Sequence, residues 1–307
     1  MEDWLGLTLA APPLAGEAVS DILFEAGADG IWEDTPDIEG RLVFRAGFPL
    51  GHESRLMAEI PAGLVRVAES LDFPLTSVTL SLEIKPAEDF SQTWKKDLKP
   101  FGVGSKLWIA PSWWTEPLPC GSGTKILRID PGLAFGSGRH ASTFLCLTLI
   151  HDLATPPARL LDIGAGSGIL GLAAATLYPE AQVVGLDTDA DTIKVAEDNG
   201  KNNKLDARAN FSNAPLAEQG PGYDLIVANL TLNVLIELAP EIKRLLAPQG
   251  QVIVSGLLAD QTAALEEVFQ ALGLGCLRHL GQGEWSALLL GSAGTGASRQ
   301  VIEEPPI

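Results

Sequence analysis

The stretch Leu160-Leu161-Asp162-Ile163-Gly164-Ala165-Gly166-Ser167-Gly168-Ile169-Leu170 decides how the second half of this chain is read. An apolar run, RLLDI, has the length of a buried strand, and ILGLAAATL behind the glycines has the composition of a buried helix. Gly164, Gly166 and Gly168 therefore form the turn between strand and helix. Such a turn aims backbone N–H groups into the crevice beyond the strand ends, which is how α/β proteins hold nucleotides.

Moving outward, the next apolar run, QVVGLD, ends in Asp187, close to the roughly 20 residues after the first glycine at which an acidic side chain binds a ribose diol. The spacing G-A-G-S-G differs from the GxGxxG of a dinucleotide site, and Asp162 stands just ahead of the turn. A carboxylate there repels a pyrophosphate and suits a cationic ligand, and S-adenosylmethionine is such a ligand. Further on, DLIVANL places Asn229 at the end of the fourth strand, at the rim where ligands bind. Asn229 also has the residue type of a helix cap, and both readings stay open. The residues that follow it, Leu230-Thr231-Leu232, lack the prolines and the aromatic ring used by methyltransferases acting on nucleobase amines, which disfavours a base as substrate.

From Arg159 onward strand and helix alternate: QVVGLD, a helix through Asn199, a weak strand near Ala209 to Phe211, DLIVANL, a helix to Leu246, QVIVSGL and a helix to Leu272. This pattern predicts a parallel sheet covered on both faces. CLRHLGQGEWSALLLG reads instead as an antiparallel hairpin closing the sheet, a better fit to a Rossmann-like class I methyltransferase than to a dehydrogenase. Upstream, the order strand, helix, strand, strand, helix, strand over residues 1–86 predicts a small ferredoxin-like α+β domain, with its second helix, about His52 to Leu71, interrupted near Pro61. Phe90, Trp94 and Leu98 recur every four residues and predict a linker helix within 87–105. The catalytic domain is expected over 106–290, with KLWIAPSW and TKILRID as two further strands, and residues 291–307 have the composition of disorder.

Composition narrows the function classes. The formal net charge of −18 opposes sequence-independent nucleic-acid binding, and no basic run offsets it. The acidity keeps a lysine-rich protein in play as partner. An acidic start, MEDWLGLTLA, is unlike a basic signal peptide, no apolar stretch is long enough to span a membrane, and a cytoplasmic monomer is expected. Cys120, Cys146 and Cys276 lie far apart, with no spacing for zinc or a disulfide framework, so no metal is expected.

Asp130 to Thr143, DPGLAFGSGRHAST, is the most specific stretch of all. Together with WKKDLKP, LLDIGAGSGIL, VGLDTD, DLIVANL and the Glu284-Trp285 pair, it resembles the bacterial methyltransferase of large-subunit ribosomal protein eleven over nearly the whole chain. The family pattern in that stretch is close to DPGxAFGTGxHxTT. This chain departs from it at Ser137 and at Ala141-Ser142, where a hydroxyl is retained. The resemblance implies an N-terminal substrate-recognition domain and a catalytic domain that uses S-adenosyl-L-methionine to methylate lysine side chains and an N-terminal amine of that ribosomal protein. By position it gives Thr143, Gly164, Asp187 and Asn229 cofactor-binding roles. The stretch itself, with Phe135, Gly136 and Gly138, is expected to cover the cofactor, joined by Asp162 and Gly166. Asn229 and His140 are the candidate catalytic side chains, one as a polar acceptor and the other as a proton relay or a structural histidine.

Overall fold

The structure is a computed structural model that describes residues 4–28, 30–34, 36–37, 39–71, 73–85, 98–130, 138–292 and 298–301. It divides into two compact units, residues 1–98 and 99–307. Among the described residues no helix is long and apolar enough to cross a membrane.

The first unit runs β1 (Trp4–Ala11), α1 (Gly16–Glu25), β2 (Gly30–Asp34), β3 (Leu42–Pro49), α2 (Glu53–Leu71) and β4 (Thr79–Lys85). The strands form one antiparallel sheet in the order β2-β3-β1-β4, as the ferredoxin-like reading requires. Alternation places Leu5, Leu7 and Leu9 of β1 and Phe44, Ala46 and Phe48 of β3 on the buried face, against Val19 and Leu23 of α1 and Leu56, Ile60 and Leu64 of α2. The expected interruption of α2 at Pro61 does not occur, and the helix runs through it. Proline removes one bond to the carbonyl four residues back, here that of Met57, a residue on the exposed side of the helix.

The second unit opens with a small sheet, β5 (Phe101–Val103), β6 (Leu107–Ala110) and β7 (Lys125–Arg128), in which β6 pairs antiparallel with β5 and parallel with β7. Phe101–Val103 lies inside the span assigned to a linker helix. Those residues form a strand because Phe101 and Val103 bury their side chains in the core of this unit. Residues 86–97, the body of the expected linker helix, fall outside the described residues.

There follow α3 (Ala141–His151), β8 (Arg159–Ile163), α4 (Ile169–Leu177), β9 (Gln182–Leu186), α5 (Ala190–Asn202), β10 (Ala209–Ser212), β11 (Tyr223–Asn229), α6 (Leu232–Leu245), β12 (Leu246–Leu258), α7 (Thr262–Ala271), β13 (Leu274–Gln282), β14 (Trp285–Ser292) and β15 (Ser298–Val301). They build an eight-stranded sheet in the order β10-β9-β8-β11-β12-β14-β13-β15. β8 to β12 are parallel, and the hairpin folds back so that β14 enters antiparallel between β12 and β13. The strand order reverses between β8 and β11, which opens a crevice at their carboxyl ends. α3 is apolar nearly all round, buries Phe144 to Leu147, and packs against β12 and β14 and beside α4. α4 has no basic residue in its last turn, and its carbonyls are met from outside: Lys125 Nζ donates to Thr176 O at 2.7 Å and Arg208 to Ala175 O at 3.0 Å.

The expectation of disorder over 291–307 needs correction. Gly291 and Ser292 complete β14, and Ser298–Val301 pairs parallel with Arg278–Gly281 of β13. An open strand edge supplies backbone partners whatever the side-chain composition of the segment that pairs with it.

Candidate active site

Gly164, Gly166 and Gly168 adopt φ of +72°, +54° and +78°, the left-handed region that a side chain disfavours. At Gly164 the lack of a side chain also serves packing, since a Cβ there would lie 2.6 Å from Leu230 Cδ2. The turn is sewn to the end of β9: Gly164 and Ala165 N–H donate to Leu186 O at 2.8 and 3.0 Å, and Gly166 N–H donates to Asp187 Oδ2 at 2.9 Å. Asp189 N–H donates to Asp187 Oδ1 at 3.1 Å. Each carboxylate oxygen of Asp187 has thus used one acceptor direction, and about four are available in all, so the side chain is held in place with capacity to spare.

Asp162 lies on β8 and is fully buried. Its Oδ2 accepts from Gly171 N–H at 2.9 Å, in the first turn of α4. Its Oδ1 is buried with no hydrogen-bond partner. Burial pushes this carboxyl up to about 7; the Gly171 N–H pulls it down and the negative charge of Asp187 pushes it up further.

Thr143, fully buried in the first turn of α3, meets Asn229 at the end of β11: Asn229 Nδ2 donates to Thr143 Oγ1 at 3.2 Å. The cap of α6 is Thr231, so the structure gives Asn229 a partner on α3 and not a helix start. His140 is the N-cap of α3. Its Nδ1 accepts from Ser142 N–H at 3.3 Å and lies 2.8 Å from Ser142 Oγ, and its ring stands edge-on to Trp285 with centroids 4.5 Å apart. Burial lowers the imidazole's proton affinity, and the charge of Glu284 raises it. The Glu284-Trp285 pair at the turn of the β13–β14 hairpin therefore packs against the histidine of the DPGLAFGSGRHAST stretch.

Of that stretch, Pro131 to Ser137, with Phe135 and Gly136, lie outside the described residues. Gly138 is described, at φ +84°, where a Cβ would come within 2.7 Å of both Ile169 Cδ1 and Phe101 Cζ. At the near end Asp130 is held by a residue that the sequence reading did not single out, Asn199 of α5. The available signal was the pair Asn199 and Asn203, four apart at the end of a helix whose buried face also carries Ile193 and Ala196.

A glycine turn after the first strand of a parallel sheet, an acidic residue after the second, a polar one after the fourth and a last strand inserted antiparallel define a Rossmann-like S-adenosylmethionine-dependent methyltransferase. Comparison with known proteins then gives the family. The family model described as ribosomal protein L11 methyltransferase (PrmA) matches residues 3–292, and the chain belongs to that family. It is 32% identical over 303 residues to a ribosomal protein L11 methyltransferase of Trichlorobacter lovleyi, covering 93% of this chain and 97% of the relative. It is 33% identical over 299 residues to one from Desulfotalea psychrophila, covering 94% and 98%. Among solved structures, a ribosomal protein L11 methylase from Lactobacillus delbrueckii subsp. bulgaricus aligns at a TM-score of 0.58 and 30% identity, over 64% of this chain and 100% of that one.

Proposed function

We propose that this protein, acting in the cytoplasm as a monomer, methylates lysine side-chain and N-terminal amines of ribosomal protein L11, with residues 1–98 serving substrate recognition. The carrying observation is a family match over nearly the full chain, joined to a glycine turn, Asp187 and a Thr143–Asn229 contact all at one end of one sheet. The residues present fit the cofactor. Asp187 has acceptor capacity for a ribose diol, the orphaned Oδ1 of Asp162 is short of a donor such as an ammonium supplies, and Gly164, Gly166 and Gly168 keep the turn free of side chains. Gly164, Gly166, Asp187, Asn229 and Thr143 would hold it, with Asp162 beneath the turn and Gly138 at the far end of the adjoining stretch.

S-adenosylmethionine, when bound, supplies a methyl group on a sulfonium that an amine displaces in line. The chain must then orient that amine and exclude water. A lysine ammonium, with a pKa near 10.4, has no lone pair, so it must lose its proton, and desolvation in the crevice favours the neutral form. Asn229, with its Nδ2 engaged by Thr143, presents its Oδ1 as a fixed acceptor for an amine N–H. His140 has its Nδ1 engaged by Ser142, which supports a helix-capping role for it over proton relay. The exposed apolar side chains Leu14, Phe24, Met57 and Ile84 of the first unit support a protein as substrate over a small molecule. Incubation with tritiated cofactor and purified L11 should label L11. Label on another protein or on a small molecule, with none on L11, overturns the reading.

A further inference from the structure

Asn199 is 1% exposed, and a carboxamide so buried must find partners for its oxygen and its amide hydrogens. It finds them on two separate segments. Its Oδ1 accepts from Asp130 N–H at 2.9 Å, and its Nδ2 donates to Asp130 O at 3.1 Å, so the side chain pairs with the Asp130 backbone as a neighbouring strand would. The same Nδ2 donates to Ser167 O at 2.9 Å, inside the glycine turn. One turn later Asn203 repeats the first part of the pattern: Arg128 N–H donates to its Oδ1 at 2.8 Å, and its Nδ2 donates to Arg128 O at 2.6 Å.

The repeat has a geometric basis. Four helical residues rise about 6 Å, and two extended residues rise about 6.6 Å. Asn199 on α5 and Asn203 at its C-cap, four apart, therefore meet the backbone of Asp130 and Arg128, two apart at and just past the end of β7. Asp130 is also held on its other side, where its carboxylate accepts from Ser112 N–H at 2.8 Å and from the Ser112 hydroxyl. Of the two asparagines, Asn199 alone carries a bond into the glycine turn, and Asn203 spends its remaining donor on Asn199 O at 2.7 Å.

We propose that Asn199 is a positioning residue for cofactor binding, setting the glycine turn against the anchored Asp130 backbone through Ser167. This rests on the reading of that turn as the cofactor site. With Ser167 O tied down, the peptide group it shares with the Gly168 N–H keeps one orientation, next to the Gly166 N–H that Asp187 holds, before any ligand arrives. Loss of the tie frees the turn to sample others, and the cofactor must then select one.

The test compares Asn199→Ala with Asn203→Ala by steady-state kinetics, calorimetry and thermal unfolding. Asn199→Ala should raise KM and Kd for S-adenosylmethionine roughly tenfold, as expected for one or two lost hydrogen bonds, while kcat at saturation stays within about twofold. Asn203→Ala should lower Tm and leave KM for the cofactor within about twofold of wild type. An Asn199→Ala protein that loses Tm but binds cofactor like wild type overturns the proposal. Equal effects of both variants on KM overturn it too. The wild-type protein gives a readout that needs no variant: saturation with S-adenosylhomocysteine should slow amide exchange at Asp130 together with Gly166 and Gly168, and an unchanged Asp130 counts against the coupling. Failure of the wild-type protein to bind cofactor at all removes the reading of the turn itself, whereas normal binding by both Asn199→Ala and wild type removes only the role of Asn199.

Discussion

The two units of this protein hide and show opposite things. Among the described residues, the buried polar side chains Ser142, Thr143, Asp162, Ser167, Asn199, Ser255, Thr262 and Ser286 all belong to residues 99–307. Most of the exposed large apolar ones, Leu14, Phe24, Leu50, Met57, Val65, Leu71, Leu75 and Ile84, belong to residues 1–98, against Ile126 and Val234 in the other unit. A buried polar group costs stability unless every bond it needs is made, so a fold that carries several has its chain built around them. An apolar group left in water forgoes the stabilisation that burial would give. One unit buries polar side chains, and the other leaves more of its large apolar ones exposed.

Leu7→Ala removes a side chain at the centre of the first core and should destabilise that unit by about 2–5 kcal/mol, seen as a lowered first unfolding transition, with cofactor affinity unchanged. A joint loss of affinity would show that the units are not independent. Asp187→Ala removes acceptors for two ribose hydroxyls and should weaken cofactor binding about 100-fold by calorimetry, leaving affinity for L11 intact. Phe24→Asp combined with Met57→Asp should raise KM for L11 roughly tenfold without altering cofactor Kd; an unaltered KM would place substrate recognition elsewhere.

The smallest effect concerns pH. Asp162 is pushed up to about 7 in the fold, against about 3.9 in an unfolded chain. Its contribution to stability is therefore present in full below about 3.9 and is lost as pH rises through about 7. Asp162→Asn, which has no proton to lose, should show a Tm that falls less between pH 5 and 8 than that of wild type. Identical profiles would mean that the orphaned Oδ1 finds a partner in solution.

Much of the second unit was legible because its signals are local. A glycine turn between an apolar strand and an apolar helix, an acidic residue after the next strand and a hairpin read through GQGE are each encoded within about a dozen residues. The first unit was legible for the same reason, since its element order alone specifies the sheet order. Phe101–Val103 escaped because a three-residue strand is too short to show a period, and β15 because its pairing comes from the open edge of β13 and not from its own composition.

At the site, sequence position placed Asp187 and Asn229 at strand ends, where the fold has them. It read Asp162, just ahead of the turn, as a carboxylate suited to a cationic ligand, and the structure has that side chain fully buried, bonded to Gly171 and with its other oxygen short of a partner. Strand alternation says which face a side chain takes, and not what the neighbouring helix offers there.

The sheet, its glycine turn, the family and the residue types at three strand ends follow from the order of residues alone, because each depends on chain-local period and spacing. Only the tertiary structure decided that Asn229 meets Thr143, that His140 packs on Trp285 and that Asn199 joins Asp130 to Ser167. Those partners lie far apart along the chain, and a buried polar group takes whichever complement the packed fold brings within about 3 Å.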